Sequence, residues 1–140
     1  MPQSSARPAI IPALRYRDPA AAVEFLCQAF GFEKHLVVSG EGGVVHAQLT
    51  FGPQKNGMVM LGPGSSGAYD KLLRDPKEIG GVTQGPYIIV ADVDSHHDHA
   101  KAAGAEIVMP PEDQDYGGRL YTCRDPEGHV WSFGSYDPWA

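Results

Sequence analysis

The chain has 140 residues, 42% hydrophobic and 20% charged, the balance of one globular domain of modest size. Its net charge of −6 at pH 7 opposes a phosphate backbone, so nucleic acid is excluded as an expected partner, and no run of residues approaches the ~20 apolar positions of a membrane span. Seventeen Gly and twelve Pro point to short strands and tight turns rather than a helical bundle.

Residues 1–9 carry no apolar stretch of the kind that opens a secretory leader, and the expected location is the cytoplasm. Residues 10–16 read as a strand. Asp18-Pro19 then starts a helix, with Asp as N-cap acceptor and Pro at the first helical position. The helix runs over 20–30 with an apolar stripe of Val23, Leu26, Cys27 and Phe30, and Gly31 stops it. Cys27 therefore reads as a buried thiol in that stripe; it and Cys123 form no CxxC and no disulfide framework. Residues 32–38 read as a strand, 40–43 as a turn, and 44–51 as a strand. Its alternation puts His46, Gln48 and Thr50 on one face and Ala47, Leu49 and Phe51 on the other. Residues 58–61 form the next strand.

Residues 63–84 are rich in Gly, Ser, Pro and charge and read as a linker with one short helical turn near 69–74. Residues 87–91 are a strand, 95–103 a helix stopped by Gly104, and 106–109 a strand expected to end at Pro110-Pro111. An acidic loop follows over 112–118, then strands at 119–123 and 130–133. Between these two lies the turn Asp125-Pro126-Glu127-Gly128, where Pro presets φ and Gly accepts positive φ.

The chain repeats itself. Asp18 to Gly31 spans 13 positions and Asp92 to Gly104 spans 12, and each glycine is followed two residues later by glutamate, Glu33 and Glu106. The expected architecture is α+β, one domain over 1–140. It comprises a βαβββ module at 8–62, the linker at 63–84 and a second βαβββ module at 85–136, closing around a concave mixed sheet with the helices outside.

Three phrases carry a resemblance: ALRYRDPAAAVEFLCQAFGFE, VADVDSHHDHAKAAGAEIV and YGGRLYTCRDPEGHVWSFGSYDPW. Together they resemble the vicinal-oxygen-chelate superfamily, the glyoxalase and bleomycin-resistance fold. The DPEGH turn is the most specific part, and the closing residues are most similar to the bleomycin-resistance and PhnB-like branch. The resemblance implies four metal-ligand positions, filled in relatives by His, Glu or Gln. In this chain they fall near Ile11, Met60, Pro86 and Ser132. Ile and Pro carry no side-chain donor, and Met is soft and suits Cu(I). The expectation is no metal and no cofactor.

What remains is similar to the metal-free members, which hold a small molecule and act as homodimers. The alternative is a metal-dependent lyase, isomerase or dioxygenase of the same superfamily with relocated ligands, for instance His46, and whether the chain is an enzyme is open at this point. A third reading is an interaction module docking through Trp139. The candidate ligand-binding residues are His46, Gln48, Met60, Tyr116, Arg119, Tyr121 and Ser132, with Ile11, Ala13 and Ile88 expected on the same cavity face. Arg119 either clamps an anion or pairs with Glu112, Asp113 or Asp115. His96 and His99 share one helix face, expected to be exposed. No catalytic residue is assigned.

Overall fold

A computed structural model describes residues 7–64 and 67–140, so residues 65 and 66 of the expected linker lie outside the described residues. The chain divides into two compact units, the first ending at Asp75 and the second running from Pro76 to Ala140.

In the first unit, β1 (Ala13–Arg15), β2 (Glu33–Gly40), β3 (Gly43–Phe51) and β4 (Gly57–Gly62) form a sheet of order β1-β4-β3-β2. The β1–β4 pair is parallel and the others are antiparallel. Helix α1 (Pro19–Phe25) starts where expected: Asp18 accepts from Ala21 N at 3.1 Å, and Pro19 fills the first turn. It continues as a π-helical turn, Leu26–Phe30, and ends at Gly31 with φ 90°. Val23, Leu26 and Phe30 are buried with Ala47, Leu49, Val59 and Leu61, so α1 covers the face opposite His46 and Gln48. Cys27 is half-buried rather than buried, because the π turn rotates it off the stripe.

The second unit has the same plan. A short helix α2 (Pro76–Ile79) precedes β5 (Tyr87–Ile89), α3 (Val93–Ala102), β6 (Glu106–Asp113), β7 (Arg119–Arg124) and β8 (Val130–Gly134), in sheet order β5-β8-β7-β6. Helix α3 begins at Asp92, whose carboxylate accepts from Ser95 N at 3.0 Å. The buried layer beneath α3 includes Tyr121, Cys123, Trp131 and Phe133.

Strand β6 does not end at Pro110-Pro111 but runs through it to Asp113, with a register shift between Met109 and Glu112. It is an edge strand, so prolines that donate nothing to a ladder are tolerated there. The short helical turn expected in the linker is the 3₁₀ turn Ala68–Lys71, the helix Pro76–Ile79 adds a second, and ion pairs Arg15–Asp70 and Arg17–Asp75 tie the segment to β1 and to the residues just after it.

Candidate functional site: the open sheet faces

Each unit leaves the sheet face opposite its helix uncovered by that helix, and corresponding positions line up across the repeat. In the first unit Ala13, Met60, Gln48 and Leu36 form one cross-strand row. In the second unit Tyr87, Ser132, Thr122 and Met109 form the equivalent row. The edge hydrogen bonds repeat as well. Met60 N donates to Pro12 O at 2.9 Å, and Ser132 N donates to Pro86 O at 3.0 Å. This repeat relates to one another the positions that the resemblance gives for a metal. Met60 and Ser132 are equivalent, and the partner of Pro86 in the first unit is Pro12, one residue beyond Ile11.

Neither Pro12 nor Ile11 has a donor, and neither does Pro86. A thioether and a hydroxyl alone do not fit a hard or borderline divalent ion. Among the described residues no group of three or more His, Cys, Asp or Glu is placed to hold a metal ion.

On the open face of the first unit, His46 and Gln48 are half-buried and hydrogen-bonded, ring Nε2 to amide Nε2 at 3.1 Å. The Gln48 amide nitrogen faces the His46 ring nitrogen directly, so the two side chains act as one polar pair. Met58 and Met60 lie on the same face and are also half-buried. The first unit thus offers one polar pair set in thioether surface.

On the open face of the second unit, Ser132 and Thr122 are joined hydroxyl to hydroxyl at 2.9 Å. Tyr87 lies beside them in the row, and its hydroxyl donates to Tyr136 O at 2.6 Å. Tyr116, in the loop between β6 and β7, meets Tyr136 edge to face with centroids 5.1 Å apart.

Two expected positions belong elsewhere. Tyr121 is 0% exposed and lies under α3, its hydroxyl 2.7 Å from His96 Nδ1 and its ring stacked on Phe133 at 5.4 Å. Burial pushes its phenol far above the ordinary range, so it stays protonated. Ile88, paired with Phe133 in register, shares that helix-side face. The expectation failed because Ser132 and Tyr121 are on strands whose register puts Tyr121 opposite Phe133, not opposite Ser132. The signal was legible: the Asp125–His129 turn pairs Arg124 with Val130, which sets Thr122 against Ser132.

Arg119 also turns to the helix side, donating to Asp94 at the start of α3 (3.1 Å) and to Asp113 (3.2 Å). These two hydrogen bonds raise its pKa and occupy the guanidinium with the chain's own carboxylates. Of the expected upstream partners, Asp113 is the one used, and Asp94 lies outside that set. His96 is half-buried against Phe133, with ring centroids 4.3 Å apart, rather than exposed. Tyr87 and Thr122, which is itself buried, are the residues of that row that sequence reasoning missed.

No described helix is long and apolar enough to cross a membrane. The model of the Glyoxalase/Bleomycin resistance protein/Dioxygenase superfamily matches residues 10–133. An uncharacterised protein of Mycobacterium bovis is 35% identical over 129 residues, 91% of this chain and 82% of that protein. Among solved structures, TioX from Micromonospora sp. ML1 is 32% identical with a TM-score of 0.67, over 89% of this chain and 95% of that one. A fosfomycin resistance protein, FosX, from Listeria monocytogenes, solved as a point mutant with Mn(II) and a dihydroxypropylphosphonic acid, shares the fold at 15% identity. Its TM-score is 0.66, over 91% of this chain and 89% of that one. With a match that spans both repeated βαβββ units and their open sheet faces, this chain belongs to the glyoxalase/bleomycin resistance protein/dioxygenase superfamily.

Proposed function

We propose that this chain is a metal-independent, cytoplasmic small-molecule binding protein of the bleomycin-resistance and PhnB-like kind, acting as a homodimer. The observation that carries this is the donor set at the four superfamily metal positions: Ile11 or Pro12, Met60, Pro86 and Ser132. A fold that keeps its open faces while replacing the ligand set with side chains unsuited to a divalent ion retains the means to bind but not to chelate. The polar pairs His46–Gln48 and Thr122–Ser132, set among methionine and tyrosine, match the sparse polar points and apolar lining of a small-molecule site. The dimer is supported by apolar residues left exposed on β2, namely Leu36, Val37 and Val38, which a second copy would cover.

Native mass spectrometry on untagged protein tests the reading in one experiment. A metal-free mass of two chains, with or without an organic adduct, is the expected result. A stoichiometric divalent metal would overturn it and favour a metalloenzyme with relocated ligands, as FosX with Mn(II) illustrates on the same fold. In that case His46→Ala should abolish the metal content.

A further inference from the structure

The second unit holds an aromatic cluster built more firmly than surface tyrosines require. Tyr87 rises from the edge strand β5 and lies across Gly134. A Cβ at position 134 would fall 2.7 Å from Tyr87 Oη and 2.9 Å from its Cε1, so glycine is what lets the ring lie there. The hydroxyl, bonded to Tyr136 O, fixes the far end of the ring. The loop that carries Tyr116 is docked at Gly118, where φ is +75° and a Cβ would fall 2.7 Å from Tyr136 N. The Tyr87 ring is thus anchored against backbone, and the Tyr116 and Tyr136 rings meet edge to face over the docked loop, while Tyr116 remains 56% exposed and Tyr87 and Tyr136 39% each. Anchored aromatic faces open to solvent bind with little ordering cost.

The surrounding charge is negative. The Asp137 carboxylate accepts from Trp139 N at 2.8 Å through one oxygen and lies close enough to Tyr87 to act on its phenol. Desolvation first, then the neighbouring Tyr116 and Asp137, raises the Tyr87 pKa, so its phenol remains a neutral donor. Arg119, the base next to the cluster in sequence, is turned to the helix side between Asp94 and Asp113.

We propose that Tyr87, Tyr116 and Tyr136 form a subsite for a planar organic cation, held by ring stacking, cation–π attraction and the carboxylate of Asp137. This rests on the small-molecule reading above and names the ligand class. A neutral aromatic of the same shape gains the stacking alone, and an organic anion meets both the carboxylate and the chain's net charge of −6.

The test is titration of the full chain with N-methylacridinium, with neutral acridine at mildly alkaline pH as the uncharged counterpart, read by calorimetry and tyrosine fluorescence. The expected result is saturable binding of the cation, about tenfold tighter than acridine. Tyr116→Ala and Tyr136→Ala should each weaken it about fivefold or more, while Tyr116→Phe retains it. Asp137→Asn should lower cation affinity toward that of acridine and leave acridine unchanged. Circular dichroism of each variant separates lost binding from lost fold. Equal affinity for cation and neutral ring would overturn the proposal, as would cation binding indifferent to both alanine variants or no saturable binding at all. Absent cation binding alongside a different organic adduct in native mass spectrometry removes this inference and leaves the binding-protein reading standing.

Discussion

At the residue scale, the Asp-Pro-Glu-Gly-His turn is held by one buried carboxylate. Asp125 is 4% exposed and accepts from Glu127 N at 3.0 Å, His129 N at 3.1 Å and Trp131 Nε1 at 3.0 Å. It thereby ties the turn to a Trp in the layer under α3. Asp125→Ala leaves three donors without this acceptor and should lower stability by about 2–4 kcal/mol in urea unfolding. Asp125→Asn, which keeps one acceptor oxygen, should cost less. Cys123 makes a second residue-scale prediction. Burial first, and Asp125 second, pushes its thiol up to about 12 from 9.0. The folded state therefore holds a proton that the unfolded chain releases at lower pH. The thiol's contribution to stability is complete below about pH 9 and falls as pH rises through about 12. Cys123→Ala should flatten that alkaline decline, measured as the denaturation midpoint against pH. The native thiol should also resist modification at neutral pH until the chain unfolds.

At the element scale, the two main helices begin alike and differ in how they end. Asp18 and Asp92 each cap the third amide on, at 3.1 and 3.0 Å. Replacing either by Ala should destabilise its own unit by about 1 kcal/mol, visible as a lower thermal midpoint. Because the caps belong to separate compact units, the double variant should be close to additive. Helix α1 closes through a π turn, which takes Cys27 out of the buried stripe, whereas α3 closes without one. Strand β6 shows how position in a sheet overrides composition. Pro110 and Pro111 lie within it because an edge strand has a free side, and the register shift absorbs the lost donors.

At the scale of the whole molecule, the repeat matters more than any single residue. Two sheets of the same order place Ala13–Met60–Gln48 and Tyr87–Ser132–Thr122 at corresponding positions. The faces have diverged in chemistry: thioethers and an imidazole–amide pair in one unit, hydroxyls and tyrosines in the other. At the positions that the resemblance gives for a metal, Ile11, Met60, Pro86 and Ser132 are not ligand types suited to a hard or borderline divalent ion. Mass measurement under native conditions is therefore the prediction that belongs here, with two chains and no divalent metal expected.

The sequence by itself determined the two βαβββ units, the helix starts at Asp18 and Asp92, the stop at Gly31, the turn at 125–128 and the superfamily. These features are local: caps, turns and strand alternation act over a few residues and leave direct marks in the chain. It also placed His46, Gln48, Met60 and Ser132 on open faces, because alternation within one strand is visible without a partner. Only the tertiary structure decided the rest. Arg119 went to Asp94 because α3 returns over the sheet and presents that carboxylate, 25 residues away in sequence. Tyr87, Tyr116 and Tyr136 came together through three separate segments, and no spacing within any one of them encodes that meeting.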